Sequence, residues 1–241
     1  MKHYGLIGKS LSHSFSPAFF KAYFKEHQIE ASYELIPIED ISSIESVLSS
    51  AYKGLNVTIP YKEAIIPFLD EIDDEAKAIG AVNTVVFRNG KRVGYNTDAF
   101  GFQQSIKPFL TLEHERALIL GTGGSSKAVA YVLKQLGIQV NFLSRKVQGL
   151  NMYPYSEVNE AMLGACKLIV NCTPVGMFPN INVCPLSALD GIGPSHLVVD
   201  LIYNPEVTML LNEAKLRGAI TLNGLPMLKA QALKSWELWK M

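Results

Sequence analysis

Three short polar strings in the first hundred residues carry side chains able to bind anions or to move protons. They are Ser12-His13-Ser14-Phe15-Ser16-Pro17, Asn56-Val57-Thr58-Ile59-Pro60-Tyr61-Lys62 and Asn96-Thr97-Asp98. Each falls at the end of a strand-like run, where open α/β sheets place their ligand sites. Ser14 and Ser16 suit a carboxylate, because Pro17 marks a helix start whose unpaired N–H groups attract anions; Ser16 equally suits a plain helix cap. His13 reads as a structural hydrogen-bonding residue, since no partner motif accompanies it. Lys62 sets an amine at the end of a strand, aimed at any cleft between two halves of the chain, and is otherwise an ordinary solvated lysine. Asp98 is also a natural N-cap for a helix over 99–106. Asn83, an amide inside Gly80-Ala81-Val82-Asn83-Thr84, needs partners if buried, and a ligand hydroxyl is one candidate.

A second kind of chemistry is written in Leu118-Ile119-Leu120-Gly121-Thr122-Gly123-Gly124-Ser125-Ser126-Lys127-Ala128. A glycine turn directly after an apolar strand and before an amphipathic helix is the context of a dinucleotide fingerprint. Gly121 permits the tight turn, Gly123 lets backbone approach a pyrophosphate, and the N-terminus of the helix that follows supplies unpaired N–H groups and a positive dipole. Ser126 stands at the usual third-glycine position. About 20 residues on, where NAD sites present a carboxylate to the ribose, the chain has Asn141-Phe142-Leu143-Ser144-Arg145-Lys146. Two cations and no carboxylate favour the 2′-phosphate of NADP over NAD, the alternative being a solvated loop.

The elements that must position these groups alternate in type. Runs at 4–7, 33–36 and 54–58 read as strands, with helices at 17–27 and 41–49, the latter capped by Asp40. A charged helix is expected over 70–79. Strands at 82–87 and 93–95 flank Arg88-Asn89-Gly90-Lys91, a type I′ hairpin signal that makes the first sheet mixed. Strands follow at 117–120, 140–143, 168–170, 197–200 and 220–222, with a helix over 208–217. A final helix over 227–240 carries Leu228, Ala232, Leu233, Trp236 and Trp239 and must dock on something apolar. The fold class is α/β in two domains.

The 241 residues are 48% hydrophobic, with 22 Lys plus Arg against 22 Asp plus Glu. Zero net charge supplies no field for polyanions, which argues against nucleic acid. Apolar stretches such as 128–133 fall far short of the roughly 20 residues that span a bilayer, and the N-terminus resembles no signal peptide. No membrane association and a cytoplasmic location are expected. Cys166, Cys172 and Cys184 are too few and too scattered for a disulfide framework or a metal knuckle, and read as free thiols.

Taken in order, the strings resemble the shikimate dehydrogenase family over nearly the whole chain. The resemblance is carried by Ser14-x-Ser16-Pro17, Asn56-Val57-Thr58-x-Pro60-x-Lys62, Gly80-Ala81-Val82-Asn83-Thr84, Gly94-x-Asn96-Thr97-Asp98-x-x-Gly101 and Gly121-x-Gly123-Gly124. It continues through Asn171-x-Thr173-Pro174-x-Gly176-Met177, Asp200-x-x-Tyr203-x-Pro205-x-x-Thr208 and Gly224-x-x-Met227-Leu228-x-x-Gln231-Ala232.

The resemblance implies an enzyme that interconverts shikimate and 3-dehydroshikimate with NADP, on the route to chorismate and the aromatic amino acids. It implies a substrate domain at 1–98 with a mixed sheet, a Rossmann-like NADP domain at 99–224, and a C-terminal helix at 225–241 returning to the substrate domain. Ser14, Ser16, Thr58 and Tyr203 would surround the substrate carboxylate; Lys62, Asn83, Asp98 and Gln231 would bind ring hydroxyls, with Lys62 and Asp98 as the catalytic pair. Cofactor would lie on Gly121, Thr122, Gly123, Gly124, Ser125, Ser144, Arg145, Lys146, Thr173, Gly224 and Met227. No metal is implied, and the partner is a small molecule, the protein being a monomer or homodimer. The chain departs from the family after Lys146, where Val147, Gln148 and Gly149 replace a further cation, and at 149–159, which looks too short for the usual helix and predicts an open adenosine edge. The alternatives are a quinate/shikimate relative that accepts NAD and a non-catalytic dinucleotide sensor; a proton-transfer pair argues against the sensor.

Overall fold

A computed structural model describes residues 1–12 and 14–241; His13, read above as a structural residue, lies outside the described residues. The chain divides into two compact units, Met1–Gly101 with Leu228–Met241, and Phe102–Met227.

The first unit contains β1 (Lys2–Gly8), α1 (Ser16–Glu26), β2 (Ala31–Pro37), α2 (Ile44–Leu48), β3 (Tyr52–Val57), β4 (Glu71–Ile72), α3 (Asp74–Ile79), β5 (Thr84–Arg88) and β6 (Lys91–Tyr95). Helix α4 (Thr97–Ile106) begins in it. The sheet order is β2-β1-β3-β5-β6-β4. β1 runs parallel to β2 and β3, whereas β5 is antiparallel to β3 and β6. Asn89 and Gly90 have φ of 51° and 74°, the two left-handed positions of the expected type I′ turn. The helix expected over 70–79 is shorter. Asp73 caps it by accepting from Glu75 N–H at 3.1 Å, and the residues before join the sheet edge, with Asp70 Oδ2 accepting from Arg92 N–H at 2.7 Å and β4 pairing with β6.

The second unit contains β7 (Arg116–Leu120), α5 (Gly124–Gln135), β8 (Gln139–Leu143), β9 (Met152–Tyr153), α6 (Glu160–Ala165), β10 (Leu168–Asn171), β11 (Leu197–Asp200), α7 (Met209–Leu216) and β12 (Ile220–Leu222). Every pairing is parallel, in the order β12-β11-β10-β7-β8-β9. The order reverses beside β7, so the crevice at its C-terminal end is a topological switch point. β9 was not foreseen. It adds two residues to the edge next to β8, and α6, capped by Asn159, carries the chain onward.

The last helix, α8 (Leu225–Lys240), returns to the first unit. Trp239 stacks on Tyr4 with ring centroids 4.9 Å apart and donates to Val85 O at 3.1 Å, while Trp236 meets the edge of Tyr4 at 5.4 Å. A Cβ at Gly54 would lie 2.2 Å from the Trp239 ring. Burying each indole is worth roughly 4–6 kcal/mol before the entropy of ordering it, which answers what the apolar face docks on. Leu233 lies off that face, 39% exposed. Cys166 is buried, Cys172 and Cys184 are partly buried, and none of the three is in a disulfide. No helix among the described residues is long and apolar enough to cross a membrane.

Candidate active site

In the first unit Lys62 Nζ donates to Asp98 Oδ2 at 2.6 Å, and the two side chains are only 12% and 7% exposed. Lys62 therefore departs from the solvated reading. It follows a turn that leaves the end of β3, where Tyr61 N–H bonds Thr58 O at 2.9 Å and Val82 N–H bonds Lys62 O at 2.7 Å. Asn83 Nδ2 donates to Asp98 Oδ1 at 2.8 Å, so both carboxylate oxygens are engaged. Taking such a pair out of water costs about as much as its attraction returns; stability alone gives no reason to build it.

Asp98 is not the helix cap. Thr97 is already helical, and Asn96 Oδ1 accepts from Ala99 N–H at 3.2 Å, while Asn83 Oδ1 takes the Thr97 N–H at 2.7 Å. The cap duty passes to Asn96 and Asn83, which turns the Asp98 carboxylate toward Lys62.

Around this pair lies a buried hydrogen-bond network that local sequence reading missed. Ser235, with no exposed surface, accepts from Asn56 Nδ2 at 2.9 Å, donates to Gln231 O at 3.0 Å and lies 2.8 Å from Thr84 Oγ1. Gln231 Oε1 accepts from Thr97 Oγ1 at 3.3 Å, placing Gln231 at the same network. The available signal was a serine one turn after Gln231 on the buried face of α8. Asn56 Oδ1 in turn accepts from the Tyr33 hydroxyl at 2.8 Å, and Tyr33 hydrogen-bonds Ser16; burial pushes the Tyr33 phenol upward.

Ser16 is the first residue of α1 and is 8% exposed, with Phe15 rather than Ser16 at the N-cap position. Ser14 and Thr58 are half-buried; Ser14 N–H bonds Leu11 O at 3.0 Å and Thr58 N–H bonds Ile7 O at 2.8 Å.

The second unit gathers the other predicted residues at the C-terminal ends of its strands. Gly121 has φ +96°, donates to Leu143 O at 2.9 Å, and would bring a Cβ to 2.9 Å from Thr173 Cγ2. Thr122 and Gly123 are exposed. A Cβ on Gly123 would meet nothing within 4 Å: neither strain nor packing within the unit demands glycine there, and its bare face is open to a phosphate. α5 starts at Gly124 and Ser125 with no side-chain cap and no acidic residue in its first turn, leaving its N–H groups suited to an anion. This cradle fits a dinucleotide pyrophosphate. Ser126 is 1% exposed, packed under the helix.

Ser144 is buried, its Oγ closing a tight turn by donating to Lys146 O at 2.9 Å and accepting from Lys146 N–H at 3.1 Å. That turn presents Arg145 and Lys146 exposed beyond β8. Thr173 is held by Asn171 Oδ1, which accepts its N–H at 3.0 Å and its hydroxyl at 2.7 Å. Asn171 also donates to Asp200 Oδ1 at 3.0 Å, and Thr208 donates to Asp200 Oδ2 at 2.7 Å. Burial pushes the Asp200 carboxyl up to about 6 against these bonds. Tyr203 follows, half-buried, in the loop that Asp200 ties down through Ile202 N–H at 3.1 Å. Gly224 has a packing reason, since a Cβ would lie 2.0 Å from Leu201 O, and Met227 is buried. In 149–159 the chain forms β9, which pairs with β8, and no α-helix.

The family model for the shikimate dehydrogenase substrate binding domain matches residues 6–85. The shikimate dehydrogenase (NADP(+)) of Clostridium beijerinckii is 38% identical over 100% of this chain and 92% of its own; that of Shouchella clausii is 40% identical over 99% and 92%. Among solved structures, the shikimate 5-dehydrogenase of Thermus thermophilus in complex with NADP(H) and shikimate matches with a TM-score of 0.86 at 34% identity, over 99% of this chain and 93% of that one. With a buried lysine–aspartate pair in one unit, a dinucleotide turn in the other and full-length likeness of this degree, the chain belongs to the shikimate dehydrogenase family.

Proposed function

We infer that this chain is an NADP-dependent shikimate dehydrogenase, interconverting shikimate and 3-dehydroshikimate in aromatic amino acid biosynthesis. The observation that carries the chemistry is the Lys62–Asp98 contact, 2.6 Å long and largely shielded from water. Converting a secondary alcohol to a ketone removes a hydride from carbon and a proton from oxygen. NADP, when bound, exchanges the hydride. Lys62 handles the proton: as an ammonium it donates to the carbonyl oxygen of the ketone, and as an amine it takes the proton back from the alcohol. Asp98 positions the Lys62 nitrogen and holds a substrate hydroxyl, with Asn83 fixing the carboxylate from its other oxygen.

Ser14, Ser16, Thr58 and Tyr203 supply hydroxyls for the substrate carboxylate, and Gln231 and Asn83 address ring hydroxyls. In the second unit, Gly121, Thr122, Gly123, Gly124 and Ser125 would hold the pyrophosphate, Ser144, Arg145 and Lys146 the 2′-phosphate, and Thr173, Gly224 and Met227 the remaining walls. The roles of residues 1–98, 99–224 and 225–241 as substrate domain, cofactor domain and returning helix follow. Three cysteines outside any disulfide fit a reducing cytoplasm.

The test is absorbance at the reduced-nicotinamide band with shikimate or quinate and with NADP or NAD. Turnover of shikimate with NADP is expected. Equal or better turnover of quinate with NAD moves the assignment to a quinate/shikimate enzyme, and no turnover with tight NADP binding moves it to a nucleotide sensor.

A further inference from the structure

Beyond the 2′-phosphate loop, a tyrosine that neither the sequence strings nor the family resemblance drew attention to stands at the same edge of the sheet. In β8 and β9, Phe142 pairs with Met152 and Leu143 with Tyr153, in parallel. Ser144 N–H bonds Tyr153 O at 3.0 Å. Both strands therefore run off the C-terminal edge together, one continuing as Arg145 and the other as Pro154 and Tyr155. A single 3-10 turn, Tyr155–Glu157, follows, closed by Glu157 N–H on Pro154 O at 3.1 Å. Tyr155 is partly buried and packs on the apolar cluster that contains Leu120, Leu143 and Ile169.

Its phenol lies in the electrostatic reach of both Arg145 and Cys172, and no hydrogen bond from a described residue acts on it. Cys172 directly follows β10 and donates its N–H to Leu120 O at 3.0 Å. β8 and β10 are the two neighbours of β7, so Arg145, which follows β8, and Cys172, which follows β10, leave the sheet on either side of the end of β7, where the Gly121 turn begins. A dinucleotide entering the crevice at this switch point would come to the same sheet edge at which Tyr155 follows β9.

We propose that the Tyr155 hydroxyl is a further cofactor-binding group, donating to the adenosine 2′-phosphate beside Arg145. The proposal rests on the NADP reading given above and names one more residue of that site. A phenol suits the task because it is a neutral donor, and burial raises the Tyr155 pKa further from neutrality, with Arg145 opposing that rise. A phenolate would repel the phosphate; a protonated phenol adds a directed bond to the positive field of the loop. The ring is held by packing, so little side-chain freedom is lost on binding.

The test uses the full-length protein and two probes, adenosine 2′,5′-bisphosphate and adenosine 5′-diphosphate, titrated calorimetrically into the wild type and Tyr155→Phe. The variant removes one oxygen and keeps the ring in its apolar bed. A loss of about tenfold or more is expected for the 2′-phosphorylated probe, with less than about threefold for the other and an unchanged melting temperature. Equal binding of the 2′-phosphorylated probe by both proteins overturns the role of Tyr155 while leaving the NADP reading standing. Equal loss for both probes with a lowered melting temperature also overturns it, making Tyr155 a packing residue. A wild type that fails to prefer the 2′-phosphorylated probe sinks the NADP reading itself, and this proposal with it.

Discussion

Asn83 Nδ2 donates at 2.8 Å to the one Asp98 oxygen that Lys62 does not use. The carboxylate is thereby gripped from both sides, and the same Asn83 accepts the Thr97 N–H that opens α4. One amide thus sets both where the helix begins and where its second residue points. The ion pair inherits the rigidity of the β5–α4 junction, which is what a proton-transfer group requires if its reach is to be reproducible.

Replacing Lys62 with alanine is expected to lower kcat by roughly 10² to 10⁴, with a smaller change in KM for shikimate, the range for loss of a positioned acid–base group. Steady-state kinetics with saturating NADP decides it. An unchanged kcat would remove Lys62 from the chemistry.

The Asp98→Asn variant should also lower kcat, and the Lys62→Ala, Asp98→Asn double variant should lose much less than the sum of the two free-energy effects, because residues acting as a unit are non-additive. Additive losses would mean that the 2.6 Å contact is not functional coupling.

Gly54→Ala tests how α8 is seated. Its new Cβ would fall 2.2 Å from the Trp239 ring, and the ring is pinned by its bond to Val85 O and its stack on Tyr4. Overpacking of this kind costs about 1–3 kcal/mol, so a lowered denaturation midpoint is expected. Because Gln231 and Ser235 ride on the same helix, KM for shikimate should rise alongside. A variant as stable as the wild type would show that the indole yields freely.

What could be read from sequence was whatever is decided locally. Asn89-Gly90 specifies its turn through two left-handed residues, and Gly121-x-Gly123-Gly124 specifies a strand-to-helix connection through one, Gly121. The cap alternative for Asp98 could not be set aside from sequence, because aspartate is a favoured N-cap and the competing amide, Asn83, lies on another element. Ser235 and Thr84 were invisible as partners, since their 2.8 Å contact joins residues 151 apart in sequence. β9 has no propensity signal in two residues; its pairing with β8 makes it a strand.

Asp200 supplies a pH signature. Burial raises its carboxyl from 3.8 to about 6 in the folded chain, so between those values the folded state binds more protons than the unfolded one. The associated stability is fully present below about 3.8 and is lost as pH rises through about 6. Asp200→Asn removes the buried charge and keeps the shape, and its melting temperature should gain on that of the wild type as pH rises across this window, by the equivalent of roughly 2–3 kcal/mol. Parallel melting curves across the window would mean that Asp200 titrates as an ordinary carboxylate.

Cofactor choice is the last test, because the 2′-phosphate is the sole chemical difference between NADP and NAD. Arg145 and Lys146 are exposed, on a turn that the Ser144 hydroxyl closes with bonds of 2.9 and 3.1 Å to Lys146; the backbone is set while the cationic ends stay in water. If they grip the phosphate, changing both to alanine should weaken NADP by about 2 kcal/mol or more, since charge-assisted bonds contribute on the order of 1.5–3 kcal/mol each. NAD should be almost unaffected. Exposure also makes the grip sensitive to ions, so the preference of the wild type for NADP should shrink as salt rises, and that of the double variant should not. The measurement is kcat/KM for both cofactors, in both proteins, at two salt concentrations. An equal loss for NADP and NAD would indicate general damage to the second unit. No loss for either would return Arg145 and Lys146 to the ordinary surface and move the selection of NADP to other residues of the same edge.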